Sequence, residues 1–256
     1  MGEDIFELGI DEPTLTEQEI ALGNVGDKYA RFKGADWFLW LYKRPVILGG
    51  AGGIGSFVSF FLSRLGCHIY IYDMDTFETI NMSGQLVGKQ HVGREKTAVA
   101  EEIAGLFSDH TLIEGMGKYE EDSESGPIMI SGFDNMTARK DMFNNWKQYV
   151  QDNPDEAKEC VFIDGRLLSS SYQIFIIQGD MPDNIKRYED YLFDDSDVED
   201  VDCTLKQTTH CAAGIASHMI GFLTNFAANV VNGGKFNQIP FKYEYLTEPN
   251  FTENVS

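Results

Sequence analysis

A cluster of glycines between a short apolar run and a helical segment constrains the fold of this chain most strongly. The run Val46-Ile47-Leu48 is typical of a strand buried on both faces, and SFVSFFLSRLG, after the cluster, has the apolar pattern of a helix. A second strand, HIYIY, follows and leads directly into Asp73. Strand, loop, helix and strand make a βαβ unit, and its two strands should be parallel.

The glycines themselves form a nucleotide-binding pattern. Gly50, Gly52 and Gly55 give G-x-G-x-x-G, which allows a tight turn, a close approach to phosphate and close packing of the following helix. Asp73 can accept hydrogen bonds from ribose hydroxyls. We predict an α/β fold, with a doubly wound Rossmann-like, mostly parallel sheet and helices on both faces. The pattern indicates an adenine nucleotide but does not separate NAD from ATP.

Composition limits the partners of the chain. The 256 residues suit one large domain, and the formal net charge of -21 disfavours nucleic acid as a substrate. The N-terminus has no signal-peptide pattern, and we find no run that approaches the roughly 18 apolar residues of a membrane span. We therefore expect a cytoplasmic protein that binds no membrane.

The chain divides by composition into a central domain and two flanking segments. Residues 41–232 should form the nucleotide-binding domain, with an acidic, flexible crossover loop at 183–202. Residues 1–40 should be partly helical and should pack on the domain or on a second subunit. We expect residues 233–256 to form a loosely ordered tail.

Several short motifs follow Asp73 in a fixed order: DMDTFETINMSGQL, VGREK and SGFDNMTAR. Together with GAGGIGS they resemble the ThiF/MoeB/HesA family of adenylyltransferases, which is related to the ubiquitin-activating enzymes. That family has the pattern G-x-G-G-x-G, then D-x-D with N-x-x-R-Q, then G-x-x-K, then D-N-x-x-x-R. The resemblance covers residues 46–140 and resumes at 203–230.

The resemblance implies ATP-dependent adenylation of a carboxylate, with ATP and Mg²⁺ as cofactors. The acceptor would be the C-terminus of a ubiquitin-like or small carrier protein, and the chain would be a homodimer. Cations and Mg²⁺ suit this reaction because negative charge builds up as pyrophosphate leaves. Asp73 would hold ribose, Asn81 and Lys96 would contact phosphates, Asp134 would bind Mg-ATP, and Arg139 would support the Asp134 loop. The implied nucleotide-binding set is Gly50, Gly52, Gly53, Gly55, Asp73, Asp75, Asn81, Lys96 and Asp134; the implied catalytic set is Cys203, Asp134, Lys96 and Arg139.

One position departs from the family pattern. The family's N-x-x-R-Q is N-M-S-G-Q here, so Gly84 stands where the family has a phosphate-binding arginine. Lys89 or Arg94 could replace that cation, or Arg31 could supply one from a second subunit.

Two cysteines are candidate nucleophiles for a thioester after adenylation. Cys203, in DCTLKQT, resembles the catalytic segment of ubiquitin-activating enzymes, and Cys211, in THCAAGI, resembles the segment before the last helix in the ThiF/MoeB branch. Whether Cys203, Cys211 or neither reacts stays open. Cys67 and Cys160 adjoin predicted strands and should be core residues.

Other readings compete with adenylation. An NAD-dependent oxidoreductase needs the glycine loop and Asp73 but leaves the later motifs unexplained. A nucleotide-binding scaffold or sensor is supported by Gly84. Arg166 could bind a substrate carboxylate or form an ion pair, and we expect His210 and His218 to be surface or packing residues rather than metal ligands.

Overall fold

The computed structural model describes residues 27–32, 34–108, 112–168, 171–193, 208–234, 236–246 and 251–255. Within them, eight strands form one sheet. The strands are β1 (Pro45–Gly49), β2 (His68–Tyr72), β3 (Ile113–Gly117), β4 (Ile128–Ser131), β5 (Val161–Leu167), β6 (Ser171–Gln178), β7 (Lys242–Leu246) and β8 (Phe251–Val255).

The sheet has the order β3-β2-β1-β4-β5-β6-β7-β8. The pairings from β3 to β5 are parallel, and those from β5 to β8 are antiparallel. The chain runs outward from β1 to β3 and then returns to the other side of β1 at β4. Between β1 and β4 the strand order therefore reverses, and in open α/β sheets such a point is where ligands bind.

Helices cover both faces of the sheet, as predicted. Alternate residues of β1 point to opposite sides, so Val46 and Leu48 join one apolar cluster while Ile47 joins the other. The cluster around Ile47 includes Phe143 and Trp146 of a helix on that side. The α-helices are α1 (Asp36–Leu41), α2 (Gly53–Leu65), α3 (Lys96–Phe107), α4 (Met136–Asp152), α5 (Pro182–Glu189) and α6 (Thr209–Val231); α4 and α5 pack on the second face.

Helix α6 is a core helix with the dimensions of a membrane span. Among the described residues it is the one helix with sufficient length and apolar character to cross a bilayer, which the sequence analysis had not anticipated. It packs against α1 and α2 and against β5 and β6. Cys211, Ile215, Met219 and Leu223 on this helix are fully buried or nearly so, so the apolar character of α6 fits its place in the protein core.

Two expectations about irregular segments were wrong. The first part of the predicted crossover loop at 183–202 is α5, which starts at Pro182 and buries Tyr188 against the sheet. The tail expected to be loosely ordered at 233–256 contains β7 and β8, which extend the sheet from β6. Residues 194–202 lie outside the described part of the chain.

The described part of the N-terminal segment packs on its own chain. A 3₁₀ helix (Asp27–Phe32) and α1 form a small aromatic cluster around Tyr29, Phe38 and Tyr42. Trp40 contacts Phe226 of α6 edge-on, with ring centroids 5.9 Å apart. Residues 1–26 lie outside the described residues.

Candidate active site

The glycine loop turns sharply from β1 into α2. Gly50 has φ +84°, and a Cβ there would lie 3.0 Å from the carbonyl oxygen of Gly132, so both the backbone angle and the space require glycine. A Cβ on Gly55 would collide with the carbonyl oxygen of Gly50. Gly55, the third glycine of the pattern, therefore allows the first turn of α2 to lie close to Gly50 of the same loop. Gly52 is the N-cap of α2 and offers no side chain to its first turn, which leaves that turn's N–H groups for an anion.

Asp73, directly after β2, is tied to the glycine loop. Its Oδ2 accepts a hydrogen bond from the Ala51 N–H at 2.7 Å, and its Oδ1 accepts one from the Asp75 N–H at 2.8 Å. Burial raises the pKa of this carboxyl, against the opposing effects of the Ala51 N–H, the Lys96 ammonium and the Asp75 N–H. The carboxylate thus fixes the loop and retains lone pairs for further donors such as ribose hydroxyls.

Lys96 is the buried first residue of α3, and its ammonium lies beside the same carboxylate. The Nζ atom donates to Asp75 Oδ2 at 2.8 Å and lies 3.8 Å from Asp73 Oδ1. The predicted phosphate-binding lysine is therefore near the glycine loop, but its charge is already balanced by Asp75. This pairing could not be predicted from the sequence, because the two residues are 21 positions apart.

Asn81 and Gln85 belong to a short segment that crosses the start of α2. Asn81 lies in a 3₁₀ helix (Thr79–Ser83), where its Oδ1 accepts a hydrogen bond from the Glu78 N–H at 2.8 Å and so caps the turn. The N–H of Leu86 donates to Ser56 Oγ at 3.0 Å, which holds the segment on α2. Gln85 is buried, and its Nε2 would be 3.9 Å from a Cβ on Gly52. The sequence analysis assigned Gln85 no role, although its place in the N-x-x-R-Q pattern was a signal.

Asp134 follows β4, on the other side of the glycine loop. The N–H of Gly132 donates to the carbonyl of Gly49 at 2.8 Å, which joins the two loops. Asn135 caps α4 by accepting a hydrogen bond from the Ala138 N–H at 2.9 Å, whereas the Asp134 side chain is exposed. Helix capping therefore explains the presence of Asn135. The Asp134 carboxylate has no such role and faces solvent beside the glycine loop.

Arg139 belongs to a buried polar network under this loop. It donates to the carbonyl of Phe133 and, through Nε, to Asp164 Oδ1 at 2.6 Å. Asp164 also accepts from Arg166 Nε and from the Tyr188 hydroxyl, both at 2.8 Å. Burial raises the pKa of Asp164, but the two arginines and the hydrogen bonds outweigh burial and lower it overall. Arg139 thus contacts the Asp134 loop, and Arg166, a candidate for substrate binding, is held in an internal ion pair.

Comparison with known proteins decides the family. A family model described as ThiF matches residues 32–250. The chain belongs to the ThiF family. With this membership the protein is an adenylyltransferase, which uses ATP to adenylate a carboxylate.

Solved structures share the ThiF fold at low sequence identity. Escherichia coli MccB with ATP superposes with a TM-score of 0.65 at 14% identity, over 90% of this chain and 71% of MccB. PaaA gives a TM-score of 0.62 at 16% identity, over 94% of this chain and 80% of PaaA. The Microcin C7 biosynthetic enzyme MccB in complex with N-formylated MccA gives 0.64 at 14% identity, over 91% of this chain and 73% of MccB. Comparison with curated protein sequences gives no match.

The donor set of this ThiF site fits a magnesium ion that is held mainly by the nucleotide. Among the described residues no group of three or more His, Cys, Asp or Glu side chains could hold a metal ion. Mg²⁺ commonly binds one or two carboxylates together with substrate phosphates and waters. Asp134, exposed beside the glycine loop, suits that mode.

The ThiF cysteine candidates have different positions. Cys203 lies outside the described residues, and Cys211 is buried in the first turn of α6. Cys67 and Cys160 are buried as predicted, and burial raises the pKa of each thiol to about 12. These two thiols therefore have little thiolate character at neutral pH.

The other predicted cations and the two histidines have different environments. Arg94 pairs with Glu102 at 2.6 Å, and Lys89 and Arg31 are exposed. His218 lies between the hydroxyls of Tyr172 and Tyr243, at 2.9 and 3.1 Å, and is a packing residue. His210 is exposed, and its Nε2 is 3.4 Å from Thr208 Oγ1.

Proposed function

We propose that this ThiF protein binds Mg-ATP at the carboxyl ends of β1, β2 and β4 and adenylates the C-terminal carboxylate of a small protein or peptide. One observation carries the proposal: the glycine loop, Asp73, Lys96 and Asp134 converge where the strand order reverses. A peptide-like acceptor is further supported by MccB, whose crystals contain ATP in one case and MccA in another.

The reaction makes specific demands on these residues. A carboxylate oxygen of the acceptor attacks the α-phosphorus of ATP, the bond to the bridging oxygen breaks, and pyrophosphate leaves with its electron pair. Asp73 holds the ribose, and the N–H groups of the glycine loop hold phosphate oxygens. Lys96 must exchange Asp75 for a phosphate oxygen to act on the nucleotide. When bound, Mg²⁺ would supply charge neutralisation, and Asp134 would be the side chain that holds it.

The balance of charge at the site favours a contribution from outside the subunit. Lys96 lies beside two carboxylates, Asp73 and Asp75, and Asp134 adds an exposed carboxylate next to the glycine loop, while Arg139 is neutralised by Asp164. Gly84 supplies no cation in place of the family arginine. We infer that the protein is a homodimer in which Arg31 of a second copy completes the site.

A thioester step would follow adenylation. The thiolate attacks the carbonyl carbon of the acyl-adenylate, AMP leaves, and the acyl group remains on sulfur. Cys203 is our candidate because its sequence context resembles that of ubiquitin-activating enzymes. Cys211 is the alternative, and its burial weighs against it. A covalent adduct between the protein and the acceptor that hydroxylamine cleaves would be the thioester. Loss of this adduct in Cys203→Ala, but not in Cys211→Ala, would identify Cys203 as the nucleophile.

A second candidate function is nucleotide binding without turnover. Gly84 removes a phosphate-binding cation, and Asp75 neutralises Lys96. A protein with these features could still bind Mg-ATP as a sensor or scaffold.

Pyrophosphate exchange tests the enzyme proposal. The protein is incubated with Mg-ATP, labelled pyrophosphate and small proteins or peptides that have free C-termini, and label entering ATP is measured. Exchange that depends on the acceptor and is lost in Asp134→Ala supports adenylation. If Mg-ATP binds but no acceptor tested gives exchange, the second candidate is favoured.

A further inference from the structure

We propose that Tyr188 of α5 is a positioning residue for adenylation, which acts through the buried Asp164 network to fix the loop that carries Asp134. The inference rests on the proposed function, since it requires Asp134 to be the side chain that holds Mg-ATP. Tyr188 lies outside the motifs by which the chain resembles the ThiF family. Its role depends on contacts that the fold creates between distant segments.

Three elements of the fold meet at the carboxylate of Asp164. This side chain is fully buried, and it accepts hydrogen bonds from Arg139 of α4, Arg166 of β5 and Tyr188 of α5. Tyr188 is fully buried as well, and burial, together with the negative charge of Asp164, raises the pKa of its hydroxyl well above the usual 10. The hydroxyl therefore stays protonated and remains a hydrogen-bond donor to the carboxylate.

The same network contacts the backbone of two loops. Arg139 donates to the carbonyl of Phe133, the residue directly before Asp134. Arg166 donates to the carbonyl of Tyr191 at 3.0 Å, in the segment that follows α5. One carboxylate therefore joins α5 and the segment after it to the loop that presents the candidate magnesium ligand.

The backbone of this loop determines where the Asp134 carboxylate lies, because the side chain itself is exposed. The ring of Phe133 packs against the end of β1, where a Cβ on Gly49 would collide with it. The N–H of Gly132 donates to the carbonyl of Gly49 at 2.8 Å. The loop is thus held by the Phe133 ring, by the Gly132 backbone and by Arg139, and the Asp164 network controls the last of these contacts.

The test begins with Tyr188→Phe, which removes the hydroxyl and keeps the aromatic ring in the core. Asp164 then has one donor fewer and can turn within the network, which weakens the hold on the Phe133 carbonyl. Because Asp134 acts on the nucleotide through Mg²⁺, we expect the Kd for Mg-ATP to rise about fivefold while the Kd for ATP in excess EDTA stays the same. Titration calorimetry measures both values. A residue that merely stabilises the fold would change the two Kd values alike or change neither.

A double-mutant cycle identifies the route of the effect. If Tyr188 acts through Asp134, adding Tyr188→Phe to Asp134→Ala should leave the Kd for Mg-ATP at the value of Asp134→Ala alone. Tyr191→Phe is the matched control, because Tyr191 lies in the same segment and packs on the same Phe175 ring, whereas the tyrosine that donates to Asp164 is Tyr188. Its Kd for Mg-ATP should equal the wild-type value.

The outcomes separate this inference from the proposed function. Equal weakening with and without Mg²⁺, an unchanged Kd for Mg-ATP in Tyr188→Phe, or a further loss when Tyr188→Phe is added to Asp134→Ala would each overturn the role of Tyr188. If the wild type binds no Mg-ATP, or if Asp134→Ala binds it as well as the wild type does, the proposed function fails instead.

Discussion

At the scale of single residues, some features of the site could be predicted from the sequence and others could not. The roles of Gly50 and Asp73 were predictable because they depend on a local strand, turn and helix pattern. The neutralisation of Lys96 by Asp75 and the burial of Gln85 were not, because they depend on how the segment after β2 folds back over α2 and α3. The identity of a residue indicated its chemistry, but tertiary packing determined its partner.

Asp75 should restrain Lys96 in the absence of nucleotide. We predict that Asp75→Asn tightens Mg-ATP binding by no more than about fivefold, because an ion pair with an exposed partner is weak. Lys96→Met should weaken binding by about tenfold or more. Titration calorimetry measures both. If Asp75→Asn weakens binding, Asp75 is itself a nucleotide contact, as the family resemblance implies.

Asp164 should make the protein sensitive to acid. Its folded-state pKa lies below the ordinary value of 3.8, so its contribution to stability is complete above that value and is lost as the pH falls through the folded-state pKa. Asp164→Asn leaves two arginines without their buried partner and should cost about 3 to 5 kcal/mol of unfolding free energy at neutral pH.

The measurement is the Tm of both proteins from about pH 6 to about pH 3. The wild type should lose more stability over this range than Asp164→Asn, since only the wild type has this carboxylate to protonate. Parallel losses in the two proteins would show that Asp164 is not responsible for acid sensitivity.

At the scale of elements, local patterns predicted β1, α2 and β2 but missed α5, β7 and β8. Helix α5 lies in an acidic stretch, and only Pro182 at its start and the buried Tyr188 distinguish it from a solvated loop. Strands β7 and β8 are short, and β7 pairs with β6 about 70 residues earlier in the chain. Composition predicts such elements poorly because their partners are distant in sequence.

The two C-terminal strands should contribute very differently to stability. A chain ending at residue 250 lacks β8, an edge strand that is largely exposed, so its Tm should change little. A chain ending at residue 240 also lacks Phe241 and Tyr243, which are buried. Loss of each large core aromatic costs about 3 to 5 kcal/mol. Thermal melts followed by circular dichroism compare the two, and equal Tm values would contradict the core role of β7.

At the scale of the whole molecule, the doubly wound sheet brings the glycine loop, Asp73 and Asp134 together from three separate strands. This convergence was predictable, because carboxyl ends of parallel strands lie at the same edge of a sheet. The source of the missing cation was not predictable from one chain. If the protein is a homodimer, as we propose, that cation comes from a second copy of the chain.

Complementation between two inactive variants tests that assembly. Arg31→Ala and Asp134→Ala should each abolish pyrophosphate exchange. If Arg31 acts on the site of a second copy, random mixing of the two variants yields dimers with one intact site, and about a quarter of the wild-type exchange should return. If Arg31→Ala alone retains full exchange, Arg31 does not act at the site. If mixing the two variants restores no exchange, Arg31 acts only within its own subunit.

The most direct test of the central claim is calorimetric titration of the wild type with Mg-ATP and with NAD, repeated on Asp134→Ala and Asn135→Ala. We predict that Mg-ATP binds more tightly than NAD and that Asp134→Ala weakens it. Asn135→Ala should leave the Kd unchanged while lowering stability by about 1 kcal/mol through loss of the α4 cap. Tighter binding of NAD, or Mg-ATP binding that is indifferent to Asp134, would contradict an adenylation site at this edge of the sheet.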